Sequence, residues 1–271
     1  MQDIIPLLSS GLIGGFLGAF LGGFAKFFWE NWLPGQLTWR REQQVEREKL
    51  LAQFRAPAIR AVSELQGRVF SILKKDNYTY LKRIKNEKYY VTSTVFLIAC
   101  VFAWIEILRQ KVGALDYAAL SRKLWDVTGS FSHGQRGFQL FHLEQREIGE
   151  RMLIPPTDAG QLCLGYASFV EILEGEQAPA CFLQLSEKVE YMLENAVKET
   201  VRLVAIQHAL VELIDFIDPD LRWVPQKERQ KVDMAGHLKE LLEAKKITQP
   251  KYNELETAAR TAGLLPLLSD K

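Results

Sequence analysis

One predicted helical face carries the residue types that could hold a metal ion. His208, Glu212 and Asp215 are spaced i, i+4 and i+7, and Asp218 follows them. Imidazole and carboxylate groups that face the interior of a helical bundle are typical ligands of a divalent metal. However, the chain has no Glu-x-x-His pair of the kind that builds a dinuclear carboxylate site. The pattern therefore favours a polar stripe at the edge of a core helix, and we expect no metal ion or other cofactor.

Other patterns that carry catalysis are weak or absent. The charges of segment 144–150 include three carboxylates, but neighbouring charges on a helix point in several directions, so they do not form an acid–base pair. The nucleophile and metal signatures G-x-S-x-G, H-E-x-x-H and C-x-x-C do not occur in the sequence. Cys100, Cys163 and Cys181 are odd in number and lie in apolar surroundings, which predicts small core residues in a reducing compartment. The sequence leaves an enzymatic role undecided and favours a protein without catalysis.

Several charged residues are embedded in otherwise apolar helices. If they met in one interior network, they would fix the register of the helices, and the same network could equally form a ligand pocket. These two interpretations stay open. The residues are Glu64, Arg68, Glu106, Arg109, Arg146, Glu150 and Asp215.

The helices that must position these residues are predicted from composition and periodicity. The 271 residues are 48% apolar and 25% charged, which excludes a disordered or collagen-like chain, and the net charge of +1 does not indicate a nucleic-acid-binding protein. Apolar residues recur every three or four positions in 40–73, 138–152 and 186–217. No strand-like alternation extends over more than a few residues. We therefore predict an all-α fold, with a helical bundle over roughly residues 38–219.

A segment of 22 residues without a charge, 4–25, lies ahead of this bundle. As a helix it would be about 33 Å long, enough to cross the apolar core of a bilayer. The alternative is a cleaved signal peptide, but the first three residues lack a basic side chain and the apolar run is longer than usual for such a peptide. The sequence therefore favours an uncleaved transmembrane anchor in contact with the lipid bilayer.

The residues that follow this segment predict its orientation. Trp29 and Trp32 occupy the positions of an interfacial aromatic belt, while Lys26, Arg40 and Arg41 place positive charge on the C-terminal side. Positive charge beside a span is retained in the cytoplasm. We therefore expect a single-pass membrane protein with its body in the cytoplasm.

Small residues form two rows at a spacing of four within this segment. Such rows let the backbone of a second helix approach closely, so they predict self-association into a homo-oligomer. The alternative is an isolated anchor, and an oligomeric pore gated by the helical body is a second functional hypothesis. The rows are Gly14, Gly18 and Gly22, and Gly11, Gly15, Ala19 and Gly23.

Two segments in the first part of the bundle carry alternative interpretations. Segment 74–88 mixes basic residues with tyrosines, which is consistent with an exposed connector, with contact to anionic lipid, or, least favoured, with nucleic acid. Segment 89–108 is the second most apolar run, but only 17 residues precede Glu106. We predict that it is the central helix of the bundle and not a second membrane crossing.

The C-terminal region is predicted to form a short linker and two helices, 228–246 and 250–262, with Thr248 as the N-cap of the second. Leu238, Leu241, Leu242, Ile247, Thr248, Tyr252 and Leu255 lie in this region. This pattern resembles the SHOCT type of short C-terminal hairpin. The resemblance covers about the last forty residues and implies a role in oligomerisation. The alternative is a hairpin that packs on its own bundle.

Four parts follow from these patterns: an anchor at 1–35, a stalk and first bundle helix at 36–73, the bundle at 74–219 and a C-terminal hairpin at 220–271. We expect a membrane-anchored, self-associating helical scaffold or interaction protein. Protein partners would bind to the helical body or to the hairpin.

Overall fold

The computed structural model describes residues 33–75, 77–83, 85–112, 118–132, 137–157 and 160–265. The chain divides into two units, 1–52 and 53–271. The described residues are mostly helical, which confirms the predicted helical fold. The helices are α1 (Leu33–Lys75), α2 (Asn77–Arg83), α3 (Glu87–Val112), α4 (Ala118–Ser132), α5 (His142–Arg151), α6 (Tyr166–Glu174), α7 (Ala180–Glu194), α8 (Thr200–Ile217), α9 (Met234–Glu243) and α10 (Gln249–Thr261).

Helix α1 contains the predicted helix 40–73 and extends it at both ends. It begins beside Pro34, a residue that suits the first turn because its missing N–H would have no helical partner there. It continues past Pro57. The periodic apolar residues of its second half are buried, among them Ala58, Val62 and Leu65. Burial of this stripe holds the second half of α1 in the bundle.

Helix α3 is the central element of the larger unit. It contacts α2, α5, α6 and α7, and its side chains from Val101 to Leu108 are buried on every side. Among the described residues, it supplies the one helix that is long and apolar enough to cross a membrane, Glu87–Gln110. The protein itself buries 83% of the most apolar part of that segment. This burial favours the predicted core helix over a second membrane crossing.

Helices α3 and α5 approach each other closely at Gly149. A Cβ atom at this position would lie 2.8 Å from the carbonyl oxygen of Phe102, a backbone atom of α3. Real side chains do not come this close to a backbone oxygen, so the contact requires glycine. The absence of a side chain at Gly149 therefore sets the distance between the two helices.

A short β-hairpin corrects the purely helical prediction. Strands β1 (Leu153–Thr157) and β2 (Gly160–Cys163) pair antiparallel, with Leu153 opposite Cys163. Pro155 and Pro156 end the preceding helix, as expected, but they lie in the edge strand β1, where a missing N–H is tolerated. Asp158, predicted as the cap of the next helix, lies outside the described residues, and that helix begins later, at Tyr166.

The predicted helix 186–217 is two helices. Helix α7 ends at Glu194 and α8 begins at Thr200, with a turn between them. Asn195 closes α7, because its side-chain amide donates to the carbonyl oxygen of Tyr191 at 2.9 Å. Such a local bond competes with the continuation of the helix. The periodicity is similar on both sides of the turn, which is why the sequence pattern did not reveal it.

After α8, the chain runs without an α-helix to Met234 and then forms the C-terminal hairpin. A single turn of 3₁₀-helix, Gln226–Glu228, interrupts this segment. Helix α9 begins six residues later than predicted, because Asp233 caps it by accepting from the backbone N–H groups of Ala235 and Gly236. Helix α10 begins at Gln249, with Thr248 at the N-cap as predicted.

Candidate functional site

Three helices surround a pocket of about 340 Å³. Helix α1 provides two side chains spaced i, i+4, and α3 provides four spaced i, i+4, i+7 and i+8, so each helix turns one face to the pocket. The first residue of α6 completes the lining. The lining residues are Glu64, Arg68, Tyr89, Ser93, Phe96, Leu97 and Tyr166.

Arg68 is the charged centre of this pocket. Its Nη1 donates to the carbonyl oxygen of Tyr90 at 3.2 Å, to Ser93 Oγ at 3.0 Å and to Thr94 Oγ1 at 2.8 Å. The guanidinium carbon also lies 4.2 Å from the centre of the Tyr90 ring, within range of a cation–π contact. All these partners are uncharged, so they orient the guanidinium without neutralising it.

Among the described residues, no carboxylate lies within ion-pair distance of Arg68. Glu64 is one turn away on α1, but its carboxylate pairs with Arg60 at 2.9 Å. Burial lowers the pKa of Arg68, and the nearby tyrosines offset part of this effect. An arginine nevertheless stays protonated at neutral pH because its ordinary pKa is so high. The pocket thus holds a half-buried positive charge without a counter-ion in the part of the chain that the structure describes.

Aromatic rings form much of the remaining wall. Tyr166 contacts Phe96 with ring centres 5.2 Å apart and Tyr89 at 6.4 Å, both in edge arrangements. Phe96 in turn packs on the buried Phe169 of α6, which anchors the wall in the core. Burial raises the pKa of the Tyr166 hydroxyl, so it is neutral at pH 7. The pocket therefore combines one cation with an apolar, aromatic surface.

Hydrogen bonds and ion pairs among the described residues do not join the charged residues predicted as one interior network into a single group. Glu64 and Arg68 line the pocket described above. Glu106 is buried, accepts from Gln110 at 3.1 Å and lies 3.9 Å from Arg146, which pairs with the exposed Glu150 at 2.9 Å.

The two remaining residues of the set, Arg109 and Asp215, bond to other partners. Arg109 donates to Thr128 Oγ1 at 3.3 Å. Asp215 is bound by Arg229 at 3.1 Å. The two interpretations, a register-fixing network and a ligand pocket, both remain predictions.

The polar stripe of α8 binds the segment that follows this helix. His208 contacts the carbonyl oxygen of Val232 at 2.9 Å, and Glu212 lies between Lys123 and Lys231 at 2.9 and 2.8 Å. Hydrogen bonds from these two lysines lower the pKa of Glu212 to about 2. Among the described residues, no group of three His, Cys, Asp or Glu side chains is placed to hold a metal ion. The stripe is therefore explained by local hydrogen bonds and ion pairs.

Asp218 and Arg229 form a buried ion pair that the sequence patterns did not indicate. The Asp218 carboxylate accepts from the backbone N–H groups of Arg222, Trp223 and Val224 and from Arg229 Nη2. Arg229 also donates to the carbonyl oxygens of Asp218 and Val224. The sequence pattern includes Asp218 only as the residue that follows the stripe of His208, Glu212 and Asp215. Together these bonds fix the course of segment 218–233, which we call the clamp segment.

Large apolar side chains remain exposed where α4 meets the start of α5. Leu143 is 80% exposed, Phe141 58% and Trp125 57%. The Trp125 ring stacks on His142 with ring centres 4.8 Å apart, which holds the indole on the surface. We call these four residues the aromatic patch. Clusters of this kind mark interaction surfaces more often than isolated exposed residues do.

The C-terminal hairpin packs on the body of the same chain. Helix α10 contacts α8, and Glu240 of α9 pairs with Lys74 of α1 at 2.7 Å. Four of the residues that carry the SHOCT resemblance are buried: Leu238, Leu241, Ile247 and Leu255. This packing agrees with the alternative weighed for the hairpin, and the resemblance itself stays a prediction.

The residues predicted for the membrane and for self-association lie mostly outside the described ranges. These are Gly11, Gly14, Gly15, Gly18, Ala19, Gly22, Gly23, Lys26, Trp29 and Trp32. Arg40 and Arg41 belong to α1. Their roles remain predictions from the sequence.

The cysteines were predicted to be small core residues. Cys100 and Cys181 are buried and Cys163 is half-buried, and all three are free thiols. Burial raises the pKa of Cys163 to about 12, which keeps it a neutral thiol.

The comparisons with known proteins found no matching family model, no matching curated protein and no matching solved structure.

Proposed function

We propose that this protein is a membrane-anchored helical interaction protein. Residues 4–25 cross the bilayer and self-associate through their two rows of small residues, and the helical body in the cytoplasm holds a partner protein at the membrane. Support for the anchor comes from the 22 charge-free residues and from the aromatic and basic residues that follow them.

The aromatic patch is the observation that carries the binding role. The body buries most of the large apolar side chains of its described helices, yet Trp125, Phe141 and Leu143 are each more than half exposed, and Trp125 stacks on His142 between the other two. Exposing them costs free energy in the isolated protein, and a partner with an apolar surface would recover it. Glu144 follows Leu143 in the sequence and pairs with Lys188 at 2.7 Å. This charged pair is suited to a polar rim beside the patch.

The test measures the oligomeric state of the full chain in mild detergent by crosslinking and by light scattering. Gly18→Leu should weaken self-association, because a large side chain separates the two helix backbones. Phe20→Leu is the matched control, since it changes a residue of the same segment outside the small-residue rows. Unchanged oligomers in Gly18→Leu would contradict self-association through residues 4–25.

Leu143→Glu in the same assay separates the two surfaces. It places a charge in the aromatic patch and should leave oligomers unchanged, because the patch is assigned to a different protein. Loss of oligomers with Leu143→Glu, but not with Gly18→Leu, would instead make the patch the contact between copies.

The pore hypothesis makes a different prediction for the same preparations. A pore would conduct ions or release dye after reconstitution into vesicles, whereas an interaction protein would not. Conductance that Gly18→Leu abolishes would favour the pore over the proposed role.

A further inference from the structure

Arg68 has hydrogen-bond donors that the protein does not use. Nη1 makes all three of its hydrogen bonds, while Nε and Nη2 have no partner among the described residues. Neither of these two nitrogens is sealed from solvent. Nε and Nη2 of one guanidinium form a fork that matches the two oxygens of a carboxylate. The cation is thus oriented from one side by α3 and offers a bidentate edge to a ligand.

The walls of the pocket suit an apolar ligand body. Phe96, Leu97 and Tyr166 present carbon surface, and Tyr89 is half exposed at the rim, where its ring meets Tyr166. A volume of about 340 Å³ lies at the lower end of the range of small-molecule sites. Such a pocket accommodates one ring or a short chain and not a lipid with two acyl chains.

The charges of the pocket favour a ligand with a single negative charge. Arg68 contributes one positive charge without a counter-ion, while the Glu64 carboxylate lines the same pocket and is paired with Arg60. A dianion such as a phosphate monoester carries a second negative charge that this single cation does not neutralise.

We propose that the pocket around Arg68 binds a small organic monocarboxylate with an aromatic or apolar body. The carboxylate binds to Nε and Nη2 of Arg68. The apolar body packs against Phe96, Leu97 and Tyr166. This site is independent of the anchor, of self-association and of the aromatic patch.

The test is calorimetric titration of the full chain in a neutral detergent, with empty micelles as the blank. The probe is 3-phenylpropanoate, which should bind saturably. Its neutral analogue 3-phenylpropanamide should bind at least about tenfold more weakly, because charge-assisted hydrogen bonds are lost. Phenyl phosphate should also bind more weakly, because of its second charge.

Two variants locate the site. Arg68→Met should weaken binding of 3-phenylpropanoate about ten- to hundredfold. Leu97→Trp keeps the charge of Arg68 but fills the pocket, and it should abolish binding. Arg122→Met is the matched control, because Arg122 is an exposed arginine of α4 outside the pocket, and it should leave binding unchanged.

Three results would overturn the proposal. The first is no heat above the blank up to about 10 mM 3-phenylpropanoate, a concentration that would reveal even millimolar affinity. The second is equal binding by Leu97→Trp and the unchanged chain. The third is tighter binding of phenyl phosphate than of 3-phenylpropanoate, which would replace the carboxylate by a phosphate ligand.

Discussion

Two arginines of this protein are held in different ways. In the clamp segment, Arg229 is 1% exposed, and its Nε, Nη1 and Nη2 all donate to protein oxygens, two of them on the carboxylates of Asp215 and Asp218. In the pocket, Arg68 donates through Nη1 alone and only to uncharged groups. Both charges lose solvation, but Arg229 regains more of the lost free energy within the chain, because its partners include two carboxylates. The difference separates an arginine that builds the fold from one that is available to a ligand.

The largest expected effect comes from breaking the pair in the clamp segment. Asp218→Ala leaves the Arg229 guanidinium buried without its counter-ion and removes the acceptor of three backbone N–H groups. We expect the free energy of unfolding to fall by about 3–5 kcal/mol. Urea unfolding of the full chain in mild detergent, followed by circular dichroism, measures this loss.

Asp220→Ala is the control for this prediction. Asp220 pairs with Arg222 at 3.2 Å, but both side chains are exposed, so its loss should change stability by less than about 1 kcal/mol. Equal losses in the two variants would mean that the buried pair contributes no more to stability than the exposed pair does.

Acidification should reduce the stability that the same pair provides, by less than Asp218→Ala does. Burial acts to raise the pKa of Asp218, but the backbone N–H groups of Val224, Arg222 and Trp223 and the charge of Arg229 lower it further than burial raises it. A carboxylate whose pKa is depressed in the folded state stabilises the fold above its unfolded pKa, about 3.9 for Asp. This stabilisation is lost as the pH falls through the lower, folded value.

Asp218→Asn tests this expectation, because asparagine keeps the shape but cannot ionise. The difference in unfolding free energy between the unchanged chain and Asp218→Asn should be largest near neutral pH and should shrink below about pH 4. A difference that stays constant down to pH 2 would show that ionisation of Asp218 does not contribute.

The smallest expected change in stability is at the pocket, and it has the opposite sign to the loss of stability expected at the clamp segment. Arg68→Met removes a half-buried charge that has no counter-ion among the described residues, and the Ser93 and Thr94 hydroxyls still bond to the Tyr90 carbonyl oxygen. We expect the stability to be unchanged or raised by up to about 1 kcal/mol, measured by the same unfolding assay. A loss of several kcal/mol would place Arg68 with Arg229 as a structural residue.

Part of this architecture could be predicted from the sequence, because local patterns determine it. The apolar stripe of α1, the continuous apolar run of α3 and the Thr248 cap of α10 are properties of neighbouring residues. The turn after Asn195 depends on the side chain of that residue, and the late start of α9 depends on the side chain of Asp233. Each side chain bonds to nearby backbone groups. Periodicity alone does not reveal such bonds.

The candidate site could be predicted only as a set of residue types. Arg68 was recognised as a charge within an apolar helix, but its partners lie 22 to 26 residues further along the chain, on α3. Which turn of α3 faces Arg68 depends on the packing of two helices. The Asp218–Arg229 pair likewise spans eleven residues of irregular chain, for which no spacing rule exists.

The contact at Gly149 constrains how this sequence can diverge. An alanine there would bring its methyl group against the Phe102 carbonyl, so α5 would have to move away from the central helix. Descendants of this gene that preserve the helix pair must therefore retain glycine at this position, even where the rest of α5 changes freely. A glycine aligned with Gly149 is thus a marker by which distant relatives of this fold could be recognised.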